Sequence, residues 1–600
     1  WARGEGHLVG VSIGVDDCRW YFPMRHEIEK NNNLQPENVL AWLSDTLNTE
    51  RSTKVGANLL YDIGWLRHEG VHVKGPLVDV QYAEALLSET SKVELDVLAA
   101  KYLGEKKDTD LLYRWCADYY SGPVSGKQRA NIYRTPARLT GPYAESDADL
   151  PLRLAKKMYP LLAKENLLDL FEMECKLIPL LLEMRFAGVS VDIKKAEHVR
   201  EELKKKEQNY LDQLRAMVGF EVNVNASASL AQAFDALGLK YNNTAPTKAN
   251  PQGQPSFTKA FIKSVTHPIG QIIQEIKTCR KMVGTFIEGY ILNSHINGRV
   301  YGQFHPLRGM DLGTRSGRFS SSNPNLQNIP SRDPILGPLL RSMFIPDIGH
   351  VAWRRYDYSQ IEYRFLVHYA VGIGAMEARQ RYQTDPKTDY HEMAQHMIKL
   401  KTGLQLRRKP VKNVNFGLIY GMGEPKLSKQ IGVTLKEGKR LFKAYHEAVP
   451  YAKETMKVCA DEAQRTGVIT TILGRRSRFD LWEPIGWGHN AVALPYERAL
   501  MSYGQIKRAH THKALNRRLQ GSAADLMKKA MLQCWEDGVF AETGVPRLTV
   551  HDELDFSDPG GKDEAFAEMK RIMEQAIPIS VPVISDVEIG PDWGHVEGVE

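Results

Sequence analysis

The chain has 600 residues, 42% of them hydrophobic and 25% charged, and carries a formal net charge of +7. That length is too great for one core and predicts two to four domains, while the composition excludes a largely disordered chain. The longest apolar runs, such as LIPLLL at 177–182, are too short to span a bilayer, and the modest charge permits a nucleic-acid partner without demanding one.

Six cysteines (Cys18, Cys116, Cys175, Cys279, Cys459 and Cys534) are scattered with no CxxC pair. A disulfide framework or zinc site is therefore not expected, and a reducing compartment fits best. The sequence opens at Trp1 with no initiator Met and no signal-peptide pattern, so the natural start is expected to lie upstream.

Residues 8–100 alternate short apolar runs with helical patterns. LVGVSIGV at 8–15 reads as a buried strand, 38–47 as a helix, and KVGANLLYD at 54–62 as a strand running into a helix. An α/β domain follows from that alternation. Residues 104–142 are polar and read as an irregular excursion; YAESDAD at 143–149 then leads a helix through residue 162. Residues 166–214 read as helical with a break at 186–192, and the charged run 194–206 as a solvated helix face. A Pro/Asn/Gly/Gln loop at 242–256 is a candidate mobile tip. Helices resume to 294, and strand-like segments follow at 299–305.

Three later stretches carry chemistry. VAWRRYDYSQIEYRF at 351–365 begins as a strand through Asp357; Ser359 and Glu362 then have the spacing of a helix capping box. Asp357 thus projects from a rigid strand end, a natural ligand for Mg²⁺, which takes one or two carboxylates plus phosphates and water. Alone, an Asp near a strand end is usually a turn or cap residue, and Glu362 only the box glutamate. RRKPVKNVNFGLIYG at 407–421 places Arg408, Lys412, Phe416 and Tyr420 at four-residue spacing, cations first and aromatics after. A nucleoside triphosphate presents phosphate, sugar and base in that order, although an amphipathic helix with core aromatics gives the same pattern. PRLTVHDELDF at 546–556 reads as a tight hairpin with His551-Asp552 at its tip. Two carboxylates from separate strands, Asp357 and Asp552, are what a paired-Mg²⁺ phosphoryl-transfer site needs, and without metal they would repel.

Together these stretches resemble motifs A, B and C of the family A DNA polymerases, the DNA polymerase I type. The likeness runs from about residue 8 to 594 and takes in TRSGRFSSSNPNLQNIP at 314–330, GRR at 474–476, NRRLQG at 516–521 and PDWG at 591–594. HKALN at 512–516 leans toward the bacteriophage members. The resemblance implies a multidomain α+β and α/β chain: a right-hand polymerase of palm, fingers and thumb behind an N-terminal RNase H-like 3′–5′ exonuclease domain. Its implied boundaries are 1–160 for the exonuclease-like domain, 161–298 for the thumb and connecting helices, 299–365 and 486–600 for the palm, and 366–485 for the fingers.

Carried over residue by residue, the resemblance implies that Asp357 and Asp552 hold two Mg²⁺ ions with Glu553 beside them. Arg408, Lys412 and His391 contact the triphosphate, with Lys412 as proton donor to pyrophosphate and Gln360 at the nucleotide. Phe416 packs on the sugar, Tyr420 stacks at the templating position, and Glu362 fills the space of a ribose 2′-OH, a role compatible with its capping box. Arg318, Asn325, Gln327, Asn516, Gln520 and His551 read the primer–template duplex, where minor-groove acceptors are common to all base pairs. Arg475 and the basic clusters at 475–478, 507–508 and 517–518 contact backbone phosphates.

In the N-terminal domain Asn58, Asp62, Tyr143 and Asp147 match two exonuclease motifs, Asp62 and Asp147 as metal ligands and Tyr143 orienting water. The remaining Asp-x-Glu motif should fall just upstream of Leu8, and WARGEGH at 1–7 lacks it. Exonuclease activity is therefore expected to be deficient. Neither a 5′ nuclease domain nor a large processivity insertion between 201 and 281 is expected. The implied protein is a cytoplasmic monomer of a bacterial or phage-infected cell, acting on primer–template DNA and dNTPs with no membrane contact. A single-subunit RNA polymerase and a catalytically inactive nucleic-acid-binding relative are the competing readings. Glu362 in its SQIE setting and the HDE hairpin weigh against the first, and the intact Asp357, Asp552, Arg408 and Lys412 against the second.

Overall fold

The strand Ala352–Tyr358 is the axis of a five-stranded antiparallel sheet. It pairs on one side with Glu553–Asp558, which pairs in turn with Leu548–Val550, and on the other with Ser585–Gly590, whose outer neighbour is Glu597–Gly598. The structure, a computed structural model, describes residues 2–599 apart from 108, 248–249, 308–313, 332, 403–410, 413, 416, 418–421 and 487–490, with backbone only at 401, 402, 430 and 431.

Alternation along the central strand divides its side chains between two environments. Tyr356 and Tyr358 join Leu554 and Phe556 on a face sealed by the helices Ala514–Glu536 and Asp563–Gln575. Tyr356 stacks on Phe566, and the Tyr358 hydroxyl donates to Met573 O at 2.8 Å. The opposite face carries Trp353, Arg355 and Asp357. Trp353 and Trp593 are fully buried there, so this face is apolar at one end and acidic at the other.

The N-terminal segment is α/β as expected. A hairpin, Gly10–Val15 with Cys18–Pro23, and a parallel pair, Lys54–Gly56 with Leu77–Asp79, both lean on the helix Ala137–Lys164. The stretch 104–142 departs from the sequence reading. It contains the helix Asp110–Tyr120 and the 3-10 turn Gly126–Arg134, and the long helix begins at Ala137, six residues early. Tertiary packing of Leu112, Tyr113 and Leu139 into a small core overrides the polar local composition.

The helices Leu168–Ala187 and Ile193–Val218 flank the predicted break. The loop 242–256 carries one short antiparallel pair, Asn242–Asn243 with Pro255–Ser256. Around it, Leu214, Phe234, Phe257 and Ile273 form a core separate from the main one, which runs unbroken from Leu59 to Trp593. Among the described residues no helix is long and apolar enough to cross a membrane.

Candidate active site

Asp357 stands one residue from the end of the central strand, level with Glu553 on one neighbour and Asp586 on the other. Asp552 occupies the two-residue turn between Leu548–Val550 and Glu553–Asp558, with His551 at φ +63°, a left-handed conformation that tightens the turn. The Tyr358 N–H donates to the Asp552 carbonyl at 3.1 Å, locking the hairpin tip against the end of the central strand. Two carboxylates distant in sequence are thereby brought side by side.

Their electrostatics follow from that crowding. Burial, then the Asp552 and Glu553 carboxylates, push Asp357 well above the usual carboxylate range. Burial also raises Asp552 to about 6, with Arg318 pulling down and Glu362 pushing up. One oxygen of Asp357, Oδ1, is buried without a hydrogen-bond partner. Such an oxygen is costly in a dry site and suits a cation, so the donor set fits Mg²⁺.

Because the folded state holds protons that the unfolded carboxylates have already lost, metal-free stability should fall as pH rises from about 4 through 6. In chelator, the melting temperature is expected to drop between pH 5 and 7, and Mg²⁺ to restore it at pH 7. Asp552→Asn should make the fall shallower, the remainder coming from the raised carboxyls of Asp357, Asp62 and Asp79. A wild-type profile that is flat in chelator would show that the two carboxyls do not repel.

The flanking residues fix this geometry. Glu553 is tethered at Oε1 by Trp593 Nε1–H at 2.9 Å and by Arg341 at 3.5 Å. Arg364, 1% exposed, donates to the carbonyls of Ser359, Pro582 and Pro386 and pins the turn after Asp357. Sequence reasoning missed Arg364 and Asp586; neither sits in a local motif, and only strand pairing and long-range hydrogen bonds mark them.

The capping box expected at Ser359 and Glu362 does not form. The helix Ile361–Tyr369 begins after Gln360, at φ +50° with no side-chain cap, because the Ser359 N–H is drawn to Ile584 O. Gln360 instead accepts the Tyr390 N–H at 3.0 Å. Glu362 is thus turned to Arg318, whose Nη2 donates to Oε1 at 2.7 Å.

His391 is 2% exposed, edge-on to Tyr363 and hydrogen-bonded to Asn415 on the helical segment that carries the exposed Lys412. Arg408, Phe416 and Tyr420 lie outside the described residues. Gln327 donates to Thr549 O at 2.9 Å, while Asn325 Oδ1 and Asn516 Oδ1 are buried without partners. Asn516 and Gln520 share one face of Ala514–Glu536, and His551 is exposed at the hairpin tip.

Arg475 requires correction. At 5% exposure it cannot reach a DNA phosphate: Nη2 bonds Glu174 Oε1 at 2.5 Å and Nε bonds Asp525 Oδ1 at 2.9 Å. Lys528 joins the same buried group at 2.8 Å from both Glu174 oxygens, its ammonium pulled down to about 8 by burial although Glu174 pulls the other way. Arg478 and Arg518 are likewise committed, to Glu89 and Glu165 and to Glu462 respectively. The basic sequence clusters are therefore largely internal ion pairs.

In the N-terminal domain Asn58, at φ +65°, opens the helix Leu59–His68 that carries Asp62. Surrounding protein, then the Asp79 and Asp147 carboxylates, raise Asp62 to about 7, although the residue keeps an open edge to solvent. Asp79 is fully buried, accepts the Leu59 and Gln81 N–H groups and is raised to about 6 by burial. Asp147 bonds the Lys107 ammonium, which lies 3.5 Å over the Tyr143 ring.

An antiparallel sheet presenting two adjoining acidic tips, with helices on its far face and an α/β domain ahead of it, defines a nucleotidyl-transferring palm. The model for "DNA polymerase family A" matches residues 193–595, and that for "3'-5' exonuclease" matches 3–163. A relative described as "DNA-directed DNA polymerase", from Pseudomonas phage M6, is 30% identical over 99% of this chain and 91% of its own. DNA polymerase I of Pseudomonas aeruginosa is 28% identical over 98% of this chain and 62% of its own. The solved POL domain of Pol1 from M. smegmatis, in complex with DNA primer-template and dNTP, superposes with a TM-score of 0.78 at 23% identity, covering 98% of this chain and 93% of that one. The chain belongs to DNA polymerase family A and carries an N-terminal domain of the 3′–5′ exonuclease family.

Proposed function

We propose that this chain extends a DNA primer from its 3′-OH along a template strand, with Asp357 and Asp552 holding two Mg²⁺ ions. The observation that carries the reading is the meeting of those two carboxylates, with an unsatisfied Asp357 oxygen, at one edge of the family A sheet. When bound, Mg²⁺ supplies Lewis-acid polarisation of the attacking and leaving oxygens. Glu553, held by Trp593 and Arg341, keeps the acidic edge in place. Arg408 and Lys412 bind the triphosphate, Lys412 giving a proton to the departing pyrophosphate; His391, expected from the sequence to touch the phosphates, is as buried as Arg475 and acts behind them through its bond to Asn415. Phe416 packs on the sugar, Tyr420 stacks at the templating position, and Gln360, held by the Tyr390 N–H, lies at the nucleotide.

Arg318, Asn325, Gln327, Asn516, Gln520 and His551 face the duplex minor groove. Arg318 also holds the Glu362 carboxylate where a ribose 2′-OH would come. Glu362→Ala should therefore raise rNTP relative to dNTP incorporation by roughly tenfold or more, since an excluding side chain is lost. Single-nucleotide kinetics measure the ratio, and an unchanged ratio would remove Glu362 from sugar selection.

In the N-terminal domain Asn58, Asp62, Tyr143 and Asp147 form the hydrolytic site, Asp62 and Asp147 as ligands. The Lys107 ammonium on Asp147 competes with a metal there, so primer shortening should be weak. Primer extension with Mg²⁺, run with and without dNTPs, tests both activities. Extension with dNTPs and little shortening without them is expected. A preference for rNTPs, or no extension at all, would defeat the polymerase reading.

A further inference from the structure

A lysine is folded into the acidic site of the N-terminal domain. Tyr143 and Asp147 lie four residues apart, on one face of the helix Ala137–Lys164. Lys107 comes over that face from the connection between the helices Leu95–Leu103 and Asp110–Tyr120. Its ammonium bonds Asp147 Oδ1 and stands 3.5 Å over the Tyr143 ring, so a single cation engages both groups. The lysine side chain is 9% exposed, whereas that of Asp147 is 34% exposed and keeps a side open to solvent.

The surroundings give the ammonium a reason to be there. Asp62 feels the carboxylates of both Asp79 and Asp147, which arrive from the strand Leu77–Asp79 and the long helix. Three carboxylates gathered without a cation repel one another, and the ammonium offsets that repulsion. Arg129, exposed on the 3-10 turn Gly126–Arg134, adds positive potential at Lys107 and at Asp147. Two cations beside a partly open site favour an approaching anion.

The ammonium is able to move while its backbone stays in place. Glu105, two residues earlier, accepts Arg153 Nη1–H at 2.9 Å, from the same helix that carries Asp147. That pair anchors the connection, and a flexible four-carbon stem carries the ammonium beyond it. Asp147 and the open-edged Asp62 suit a divalent cation by donor type, but the ammonium holds one Asp147 oxygen.

We propose that Lys107 is a counter-ion displaced by substrate: a phosphodiester at a single-stranded DNA end takes the ammonium from Asp147, which then joins Asp62 in binding a divalent cation. This rests on reading Asp62 and Asp147 as the hydrolytic pair. No covalent bond changes; an ammonium–carboxylate pair becomes an ammonium–phosphate pair. The DNA end and the cation are thereby coupled, each tightening the other. Breaking the first pair costs part of the binding energy, in keeping with weak primer shortening.

The test is Mn²⁺ binding by the full chain, followed by the electron spin resonance of free Mn²⁺. A short oligothymidylate with phosphorothioate linkages, which slow cleavage, serves as the DNA end. Asp147→Asn, measured in parallel, separates ions that depend on this site from those at Asp357 and Asp552. In the wild type, the Asp147-dependent Mn²⁺ should bind about tenfold or more tighter once the oligonucleotide is present. Lys107→Gln should bind it tightly without DNA and gain little on adding DNA, while Lys107→Arg should keep the dependence. The wild-type comparison needs no variant, so it decides the matter even where Lys107→Gln folds poorly. Asp147-dependent Mn²⁺ that binds equally with and without oligonucleotide, or a folded Lys107→Gln that matches wild type, would overturn the exchange. If no Mn²⁺ depends on Asp147 in any of these proteins, the hydrolytic reading falls and the exchange with it.

Discussion

Replacing Asp357 or Asp552 by Asn is expected to slow primer extension by roughly 10³-fold or more while leaving primer–template affinity nearly unchanged. Asn keeps the shape of the side chain but exchanges one anionic oxygen for an NH₂ that repels a cation. At Asp357 the loss is acute, because Oδ1 is already buried without a protein partner and has only a ligand to satisfy it. The same change relieves repulsion: burial and its acidic neighbours hold Asp357 far above an ordinary carboxylate. The metal-free Asn variant should therefore melt at or above the wild-type temperature, as expected of a site that spends stability on function. Rapid-quench single-turnover extension and thermal melting measure the two effects. Full-rate extension by Asp357→Asn would place the chemistry elsewhere.

Arg475→Ala should destabilise the fold by about 3–5 kcal/mol, the usual cost of removing one partner from a buried ion pair. Glu174 and Asp525 are both fully buried, and Arg475 lies between them while Lys528 neutralises only Glu174. Losing the guanidinium leaves Asp525 with the Thr471 hydroxyl as its remaining side-chain partner among the described residues. The Gly317 backbone, at φ +79°, also packs directly on the Arg475 side chain, so the loop ending in Arg318 should loosen. Chemical denaturation of Arg475→Ala, Glu174→Gln and the double variant measures the coupling, which should be strongly non-additive. The salt slope of DNA binding should match wild type. A stable Arg475→Ala variant with a flattened slope would return this residue to the phosphate contacts its sequence setting suggested.

Those two residues mark how far short-range pattern reaches. The strand carrying Asp357 near its end and the tight His551-Asp552 hairpin were readable because alternation and turn chemistry act over a few neighbours. The Ser359–Glu362 capping box obeyed the same local rule and still did not form: the Ser359 N–H bonds Ile584, and Glu362 bonds Arg318, 44 residues away. The 104–142 stretch went the same way, its helix supported by a small core that polar composition conceals.

The sequence by itself determined the family, the order of its motifs and the paired carboxylates on which the chemistry depends, since each lies in a short run with its own local geometry. The tertiary structure alone decided which cations stand in solvent and which are buried in ion pairs. An arginine looks the same in sequence whether water or a carboxylate 301 residues away surrounds it, and only folding supplies that partner and removes the solvent.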